Sequence, residues 1–211
     1  MILVTACYRI EARWITRRPG VRIVRTVVGE RSRETMEQLG DEVTDASFLI
    51  ASGFCGGVDP QIRKGQLFLA RAVRHQGEEI RIDPDLLDRA RQALDGGTAK
   101  HHSGLCASVD RVLQPDEKRA LADDGVSAVD METGPLARWA TKSGLPFLAL
   151  RVVLDPVDTD LPFSDDLPLW ISVPLHPIAA TRTAHEAIAA SRALGEAIDT
   201  VVDAFAGRSN G

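Results

Sequence analysis

The run Phe147-Leu148-Ala149-Leu150-Arg151-Val152-Val153-Leu154-Asp155 constrains this chain more than any other stretch. Side chains alternate between the two faces of a strand, so a run that is apolar at nearly every position must be covered on both sides. That is the pattern of a buried strand in an α/β fold, with Pro146 ahead of it and only Arg151 interrupting it. The strand delivers Asp155 at its C-terminal end, where ligands sit in open α/β sheets. Earlier in the chain, Val126 to Val129 reads as a short apolar strand leading into Asp130-Met131-Glu132 and a helix start. Glu132 is expected in the first helical turn, where free N–H groups and the helix dipole favour an ionised carboxylate. Two acids at one sheet edge point to acid/base chemistry.

The remaining pattern agrees with an α/β architecture. Residues 1 to 6 and 21 to 28 read as strands, Arg31 to Leu39 as a polar helix, and Phe48 to Ala51 as a buried strand feeding a glycine loop. Gly65 to Val73, Glu78 to Ile82 and Lys100 to Leu105 are further strand candidates. Asp83-Pro84 opens a helix that Gly96-Gly97 stops, and Gln114-Pro115 opens another that runs through Leu121. Glu132 to Ser143 reads as a helix that tolerates Pro135 in its first turn, and a last helix spans about Ala180 to Phe205. Strands alternating with helices predict a mixed, largely parallel sheet with helices on both faces.

Composition excludes several function classes. At 211 residues and 44% hydrophobic, the chain can bury one substantial core, and no linker-like stretch divides it, so one domain over residues 1–211 is expected. The net charge is −5, and the basic patch from Arg13 to Arg25 lacks interleaved aromatics, so nucleic acid is not expected as a partner. Cys7, Cys55 and Cys106 are widely separated, which supports neither a disulfide framework nor a zinc knuckle and suggests a reducing cytoplasm. No apolar run is long enough to span a bilayer and no signal core is visible, so a cytoplasmic protein with at most peripheral membrane contact is expected.

Four segments, in order, carry a resemblance. They are Leu3-Val4-Thr5-Ala6 with Ile10-Glu11-Ala12; Ser52-Gly53-Phe54-Cys55-Gly56-Gly57-Val58-Asp59-Pro60 with Lys64-Gly65-Gln66-Leu67; Val129-Asp130-Met131-Glu132; and Pro146 to Asp155. Together they resemble the purine nucleoside phosphorylase and nucleosidase superfamily. The compact length, the Leu-Ala-Leu-Arg-Val-Val strand and the Ala-Val-Asp-Met-Glu run are most similar to its hopanoid-associated phosphorylase branch. The resemblance implies a three-layer αβα sandwich, nucleoside phosphorylase-like, around a twisted, partly barrel-like mixed sheet. It also implies removal of adenine from a 5′-substituted adenosine, adenosylhopane in that branch, within hopanoid biosynthesis. It further implies a homo-oligomer whose partner is a small nucleoside, free or lipid-linked. A methylthioadenosine or adenosylhomocysteine nucleosidase and a catalytically silent nucleoside-binding protein of the same fold are the competing expectations.

Cleaving a purine N-glycosidic bond develops positive charge on the sugar and negative charge on the base, so it needs an acid at the base and anions near the sugar. By motif correspondence Asp155 is expected to protonate the base and Glu11 to orient or deprotonate water. Glu132 would bind the ribose hydroxyls, with Met131 beneath the sugar. Phe54 and Gly56 would form a wall of the pocket and Val109 would lie along the base. Singly, each acid has a plain structural reading: Asp155 a strand-ending turn, Glu132 a helix-start residue, Glu11 a surface ion pair with Arg9 or Arg13.

The glycine run does not fit a dinucleotide or phosphate-loop motif. Where phosphorylases usually carry an arginine and then a hydroxyl side chain, Ala51 and Phe54 stand instead, and neither side chain binds an anion. Water is therefore favoured as nucleophile, with no cofactor expected unless phosphate takes water's place. His101, His102 and Cys106 would suit a metal only as a helical pair with further ligands, so no metal is expected. Cys55 reads as a buried thiol. The segment from Leu161 to Pro177, with Phe163, Trp170, Ile171 and Leu175, reads either as a core-packing loop or as an apolar lid over a 5′ substituent.

Overall fold

The computed structural model describes residues 1–97, 99–158 and 177–206. Eight strands form one mixed sheet: β1 (Ile2–Ala6), β2 (Val21–Arg25), β3 (Phe48–Gly57), β4 (Leu67–His75), β5 (Glu78–Arg81), β6 (His101–Ser108), β7 (Val126–Asp130) and β8 (Phe147–Asp155). β1 lies parallel between β2 and β3, and β3 runs parallel to β8. β8 is antiparallel to β4, which carries β5 at its edge and runs parallel to β6. β6 is parallel to β7, and β7 returns antiparallel to β3 through Gly56↔Val129. The pairings β3-β8-β4-β6-β7 thus close on themselves, which is the physical content of a partly barrel-like sheet.

Helices cover this sheet in two groups. α6 (Pro177–Ala206) packs on β8 and β3 with α1 (Arg9–Ala12) and α3 (Pro84–Asp95) against it. Leu194, Ile198, Val201 and Val202 are buried along it at helical spacing. α5 (Thr133–Lys142) lies over β4 and β6 and is backed by α2 (Arg31–Leu39). α4 (Pro115–Asp123) packs on β7. Asp83 caps α3 by accepting the N–H groups of Asp85 and Leu86, and Pro84 and Pro115 occupy the first helical positions, where a missing N–H is harmless. No helix among the described residues is long and apolar enough to cross a membrane.

Two sequence expectations need correction. The glycine run is not a loop, because β3 continues through Gly57. It remains a strand because it has partners on both sides: β8 pairs it as far as Gly56↔Asp155, with a register shift at Cys55/Gly56, and β7 takes over at Gly56 and Gly57. Second, Glu132 precedes α5 rather than lying within its first turn. His101, His102 and Cys106 stand on strand β6, in line with the strand expected over Lys100 to Leu105. Of the apolar segment from Leu161 to Pro177, residues 161–176 lie outside the described residues.

Candidate active site

The C-terminal ends of β3, β7 and β8, with the turns following β1 and β6, enclose a cavity of about 160 Å³. Glu11, Glu132 and Asp155 all line it, as do Met131, Phe54, Gly56 and Val109. Each position singled out from the sequence therefore reaches one cavity, although they come from five separate elements or turns.

Glu11 is held most rigidly. It sits at the start of α1 and is 2% exposed. Its Oε2 accepts the N–H groups of Cys7 and Tyr8, both at 2.8 Å, and Oε1 accepts the Phe54 N–H at 3.0 Å. A carboxylate has about four acceptor sites, so three fixed donors leave one on Oε1 for a ligand or water. Burial pushes its pKa up, and the three N–H groups together with Arg151 offset that only in part.

Arg151 organises the second acid. Fully buried at 0% exposure, its guanidinium pairs with Asp130 Oδ2 at 2.8 Å and lies 3.5 Å from Glu132 Oε2. It also donates to the Ser52 carbonyl at 3.0 Å and to Thr133 Oγ1 at 3.0 and 2.6 Å. Asp130 accepts from Ser108 Oγ at 2.8 Å, from the Thr133 N–H at 3.2 Å and from the Thr133 hydroxyl. The first free N–H of α5 is thus taken by Asp130, not Glu132. Glu132 is left to face the cavity, and burial, reinforced by Asp130 and Glu11 against the pull of Arg151, raises its pKa to about 7. The sequence expectation of a carboxylate kept ionised by a helix dipole is corrected accordingly: desolvation outweighs the helix end.

Gly53 is required by this arrangement. Its φ of +147° favours glycine, and a Cβ there would lie 2.4 Å from Arg151 Nη1 and 3.0 Å from Glu11 Oε1. Gly56 likewise leaves room, with its would-be Cβ 3.1 Å from Asp155 Oδ2 and 3.3 Å from Lys118 Nζ. These glycines clear space for charged side chains beside a strand.

Asp155 ends β8 and forms an ion pair through Oδ2 with Lys118 of α4, whose ammonium is also 3.3 Å from the Asp155 carbonyl. Burial raises the pKa of Asp155, while Lys118 pulls it down. The desolvation expected from the apolar strand is present, but the lysine beside it was not anticipated. Its signal is nonetheless in the sequence: Lys118 shares a helix face with Leu121 and Ala122 at i+3 and i+4, an unusual place for a cation on so polar a helix. Asp130, Thr133 and Ser108 were likewise missed as a network. Cys55 lines the cavity, but burial pushes its thiol pKa well up, against nucleophilic use. Groups of three or more His, Cys, Asp or Glu side chains able to hold a metal are absent among the described residues.

A family profile for the phosphorylase superfamily matches residues 16–198. The chain belongs to that superfamily. Its likeness to the 5′-methylthioadenosine/S-adenosylhomocysteine nucleosidase of Geobacillus kaustophilus is 30% identity over 132 residues, 51% of this chain and 55% of that protein. The chain spans between 51% and 60% of the length of the curated relatives it matches. Among solved structures, futalosine hydrolase of Helicobacter pylori superposes with a TM-score of 0.75 at 16% identity, covering 96% of this chain and 97% of that one. The 5′-methylthioadenosine/S-adenosylhomocysteine nucleosidase of the same organism, solved with butyl-thio-DADMe-Immucillin-A, gives the same score, identity and coverage. At such identities the likeness is one of fold, and the mixed central sheet of this superfamily is the architecture described above.

Proposed function

We propose that this protein is a purine nucleosidase that removes adenine from a 5′-substituted adenosine, with water as the nucleophile. One observation carries the reading: three buried carboxylates from three elements, Glu11, Glu132 and Asp155, surround one cavity. As the C1′–N bond breaks, its electron pair passes to the base, and Asp155 gives the base a proton. Water oxygen bonds to C1′ and its proton passes to Glu11, whose raised pKa suits a base. Ionised Glu132 holds the ribose hydroxyls and stabilises the cationic sugar, with Met131 below the ring, Val109 along the base, and Phe54 and Gly56 as a wall.

The preference for water is supported by what surrounds the cavity. The Phe54 side chain offers no anion ligand, its N–H is already committed to Glu11, and the cations of the lining, Lys118 and Arg111, are paired with Asp155 and Glu117. A phosphate dianion among three carboxylates would be poorly compensated. Incubation with 5′-methylthioadenosine, with and without phosphate, tests this directly. Equal adenine release and free sugar are expected; strict phosphate dependence with a sugar 1-phosphate product would make the protein a phosphorylase, and binding without release would make it a silent nucleoside-binding protein.

For the 5′ group we read adenosylhopane, in hopanoid biosynthesis, supported by the apolar sequence Phe163, Trp170, Ile171 and Leu175. Apolar area buried on a 5′ substituent favours binding by about 25 cal/mol per Å² before ordering costs. The names of the Geobacillus and Helicobacter nucleosidases favour the second reading, a methylthioadenosine/adenosylhomocysteine nucleosidase. Comparing kcat/KM for an adenosine with a bulky polycyclic 5′ group against adenosylhomocysteine separates the two, since the lipid reading requires the former to be larger. We also read the protein as a homo-oligomer, which sedimentation measures.

A further inference from the structure

We propose that Lys118 is a positioning residue for base departure: it anchors Asp155 Oδ2, turns Oδ1 to the nucleoside, and sets the pH at which the acid loses its proton. The inference rests on the nucleosidase reading of the same cavity. Lys118 is 1% exposed, and among the described residues its ammonium has only Asp155 as a hydrogen-bond partner, through Oδ2 and the backbone carbonyl. The ammonium reaches the carboxylate through Oδ2 alone, so it fixes one oxygen and leaves Oδ1 outside the ion pair. β3 is shaped around the pair, since any side chain at Gly56 would press on both Asp155 Oδ2 and Lys118 Nζ.

The proton balance gives the lysine its effect. The carboxyl of Asp155 donates a proton to the departing base and becomes a carboxylate. That carboxylate is the species an ammonium beside Oδ2 stabilises, so the cation strengthens the acid at the moment of transfer. Other charged groups near Asp155 are differently committed. Lys64, beyond β3, is bridged to Glu186 of α6 at 2.8 Å. On α4 itself, Glu117 pairs with Arg111, and Arg119 with Asp116 and Asp158. Across the cavity Glu11 is held by backbone N–H groups and Glu132 faces Arg151, while the Cys55 thiol stays protonated. An opposite charge at hydrogen-bond distance lowers a carboxyl pKa by roughly 1–3 units, which desolvation here opposes.

The test compares pH profiles of kcat/KM on 5′-methylthioadenosine for the unaltered chain, Lys118→Met, Lys118→Gln and Asp155→Asn. Removing the cation should move the alkaline limb, where the acid form of Asp155 is lost, upward by roughly one unit in both lysine variants. Lys118→Gln, which keeps an N–H donor, should retain about tenfold more kcat than Lys118→Met. A limb that stays in place in both variants overturns the proposal, as does a fall in rate without a shift. Adenine release by the unaltered chain separates the two levels: without it the nucleosidase reading fails. Full turnover in Asp155→Asn removes Asp155 as the acid and with it the role of Lys118, whereas a dead Asp155→Asn with an unmoved lysine limb defeats the role of Lys118 alone. Should neither lysine variant fold, the ¹⁵Nζ resonance of Lys118 in the unaltered chain must follow the titration of Asp155, and an indifferent resonance is a negative result.

Discussion

Two buried cation–carboxylate groups reach the cavity, Arg151 through Asp130 and Glu132 and Lys118 through Asp155, and they are built differently. Arg151 is tied to Asp130, Thr133, the Ser52 carbonyl and Glu132, so β8 is cross-linked to β3, β7 and the start of α5. Among the described residues Lys118 is tied to one, Asp155. Burial works against the charge on Arg151, yet Asp130 and Glu132 outweigh it and push its pKa further up. A guanidinium with a rigid planar fork does not titrate and suits a fixed frame, whereas an ammonium with one partner can respond when that partner changes charge. The difference separates what holds the site from what operates in it.

The largest expected effect tests the operating side. Asp155→Asn removes the carboxyl proposed as proton donor but keeps the shape, and Lys118 retains an amide oxygen and the backbone carbonyl as acceptors. Turnover should fall by about 10²–10⁴-fold with the fold kept by circular dichroism. Normal turnover in a folded variant would reduce the Lys118 pair to a structural feature. On the framing side, Arg151→Met leaves Asp130 and Glu132 buried without their cation, and removing one partner of such a group costs about 3–5 kcal/mol. Urea denaturation measures this. If Lys118→Met proves equally destabilising, the contrast between frame and operator is wrong.

Much of this contrast was legible in the sequence, and the parts that were not have physical reasons. The all-apolar run to Asp155 fixed a doubly covered strand, and Asp83-Pro84 and Gln114-Pro115 placed helix starts to the residue, because burial and caps act locally. The glycine run was misread because glycine signals a turn only in the absence of neighbours. At Gly53 and Gly56 it instead accommodates side chains from α1, α4 and β8, residues distant in sequence. The hydrogen-bond partners of Asp130 and Lys118 were hidden for the same reason, since Ser108, Arg151 and Asp155 reach them only once the ring of strands has closed. Glu132 reaches the cavity from just ahead of α5 rather than from its first turn, and its charge was misjudged, because desolvation depends on everything packed around it.

That misjudged charge yields a pH prediction on the framing side. Glu132 ionises with an ordinary pKa of 4.5 when unfolded and about 7 when folded. Between those values the folded state binds more protons, so its contribution to stability is fully present below about pH 4.5 and is lost as pH rises through about 7. Glu132→Gln should flatten that decline in denaturation midpoints measured from pH 4.5 to 8, while lowering kcat/KM because a neutral amide stabilises the cationic sugar less. For the unaltered chain, kcat/KM should rise through about pH 7 as Glu132 ionises. An unchanged slope in the variant would mean that Glu132 is charged throughout and belongs with Arg151 as part of the frame.

The two glycines give the finest comparison, because each abuts one of the two groups. At Gly53 a methyl group would meet Arg151 Nη1 at 2.4 Å on a backbone at φ +147°, and the guanidinium cannot step aside without breaking bonds to four partners. Backbone strain alone should make Gly53→Ala about 1–3 kcal/mol less stable. At Gly56 the backbone does not have a positive φ, and the nearest atoms are 3.1 Å away on Asp155 and Val129. A shift of a few tenths of an ångström in the flexible Lys118 chain and in Asp155 would absorb the methyl, at about 1 kcal/mol. The two variants should therefore part in opposite ways: Gly53→Ala mainly in denaturation midpoint, Gly56→Ala mainly in kcat and in the alkaline limb of the pH profile. If Gly56→Ala leaves both kinetic readouts untouched, the Lys118–Asp155 geometry is not what sets the acid, and the division between a rigid frame and a responsive pair loses its functional half.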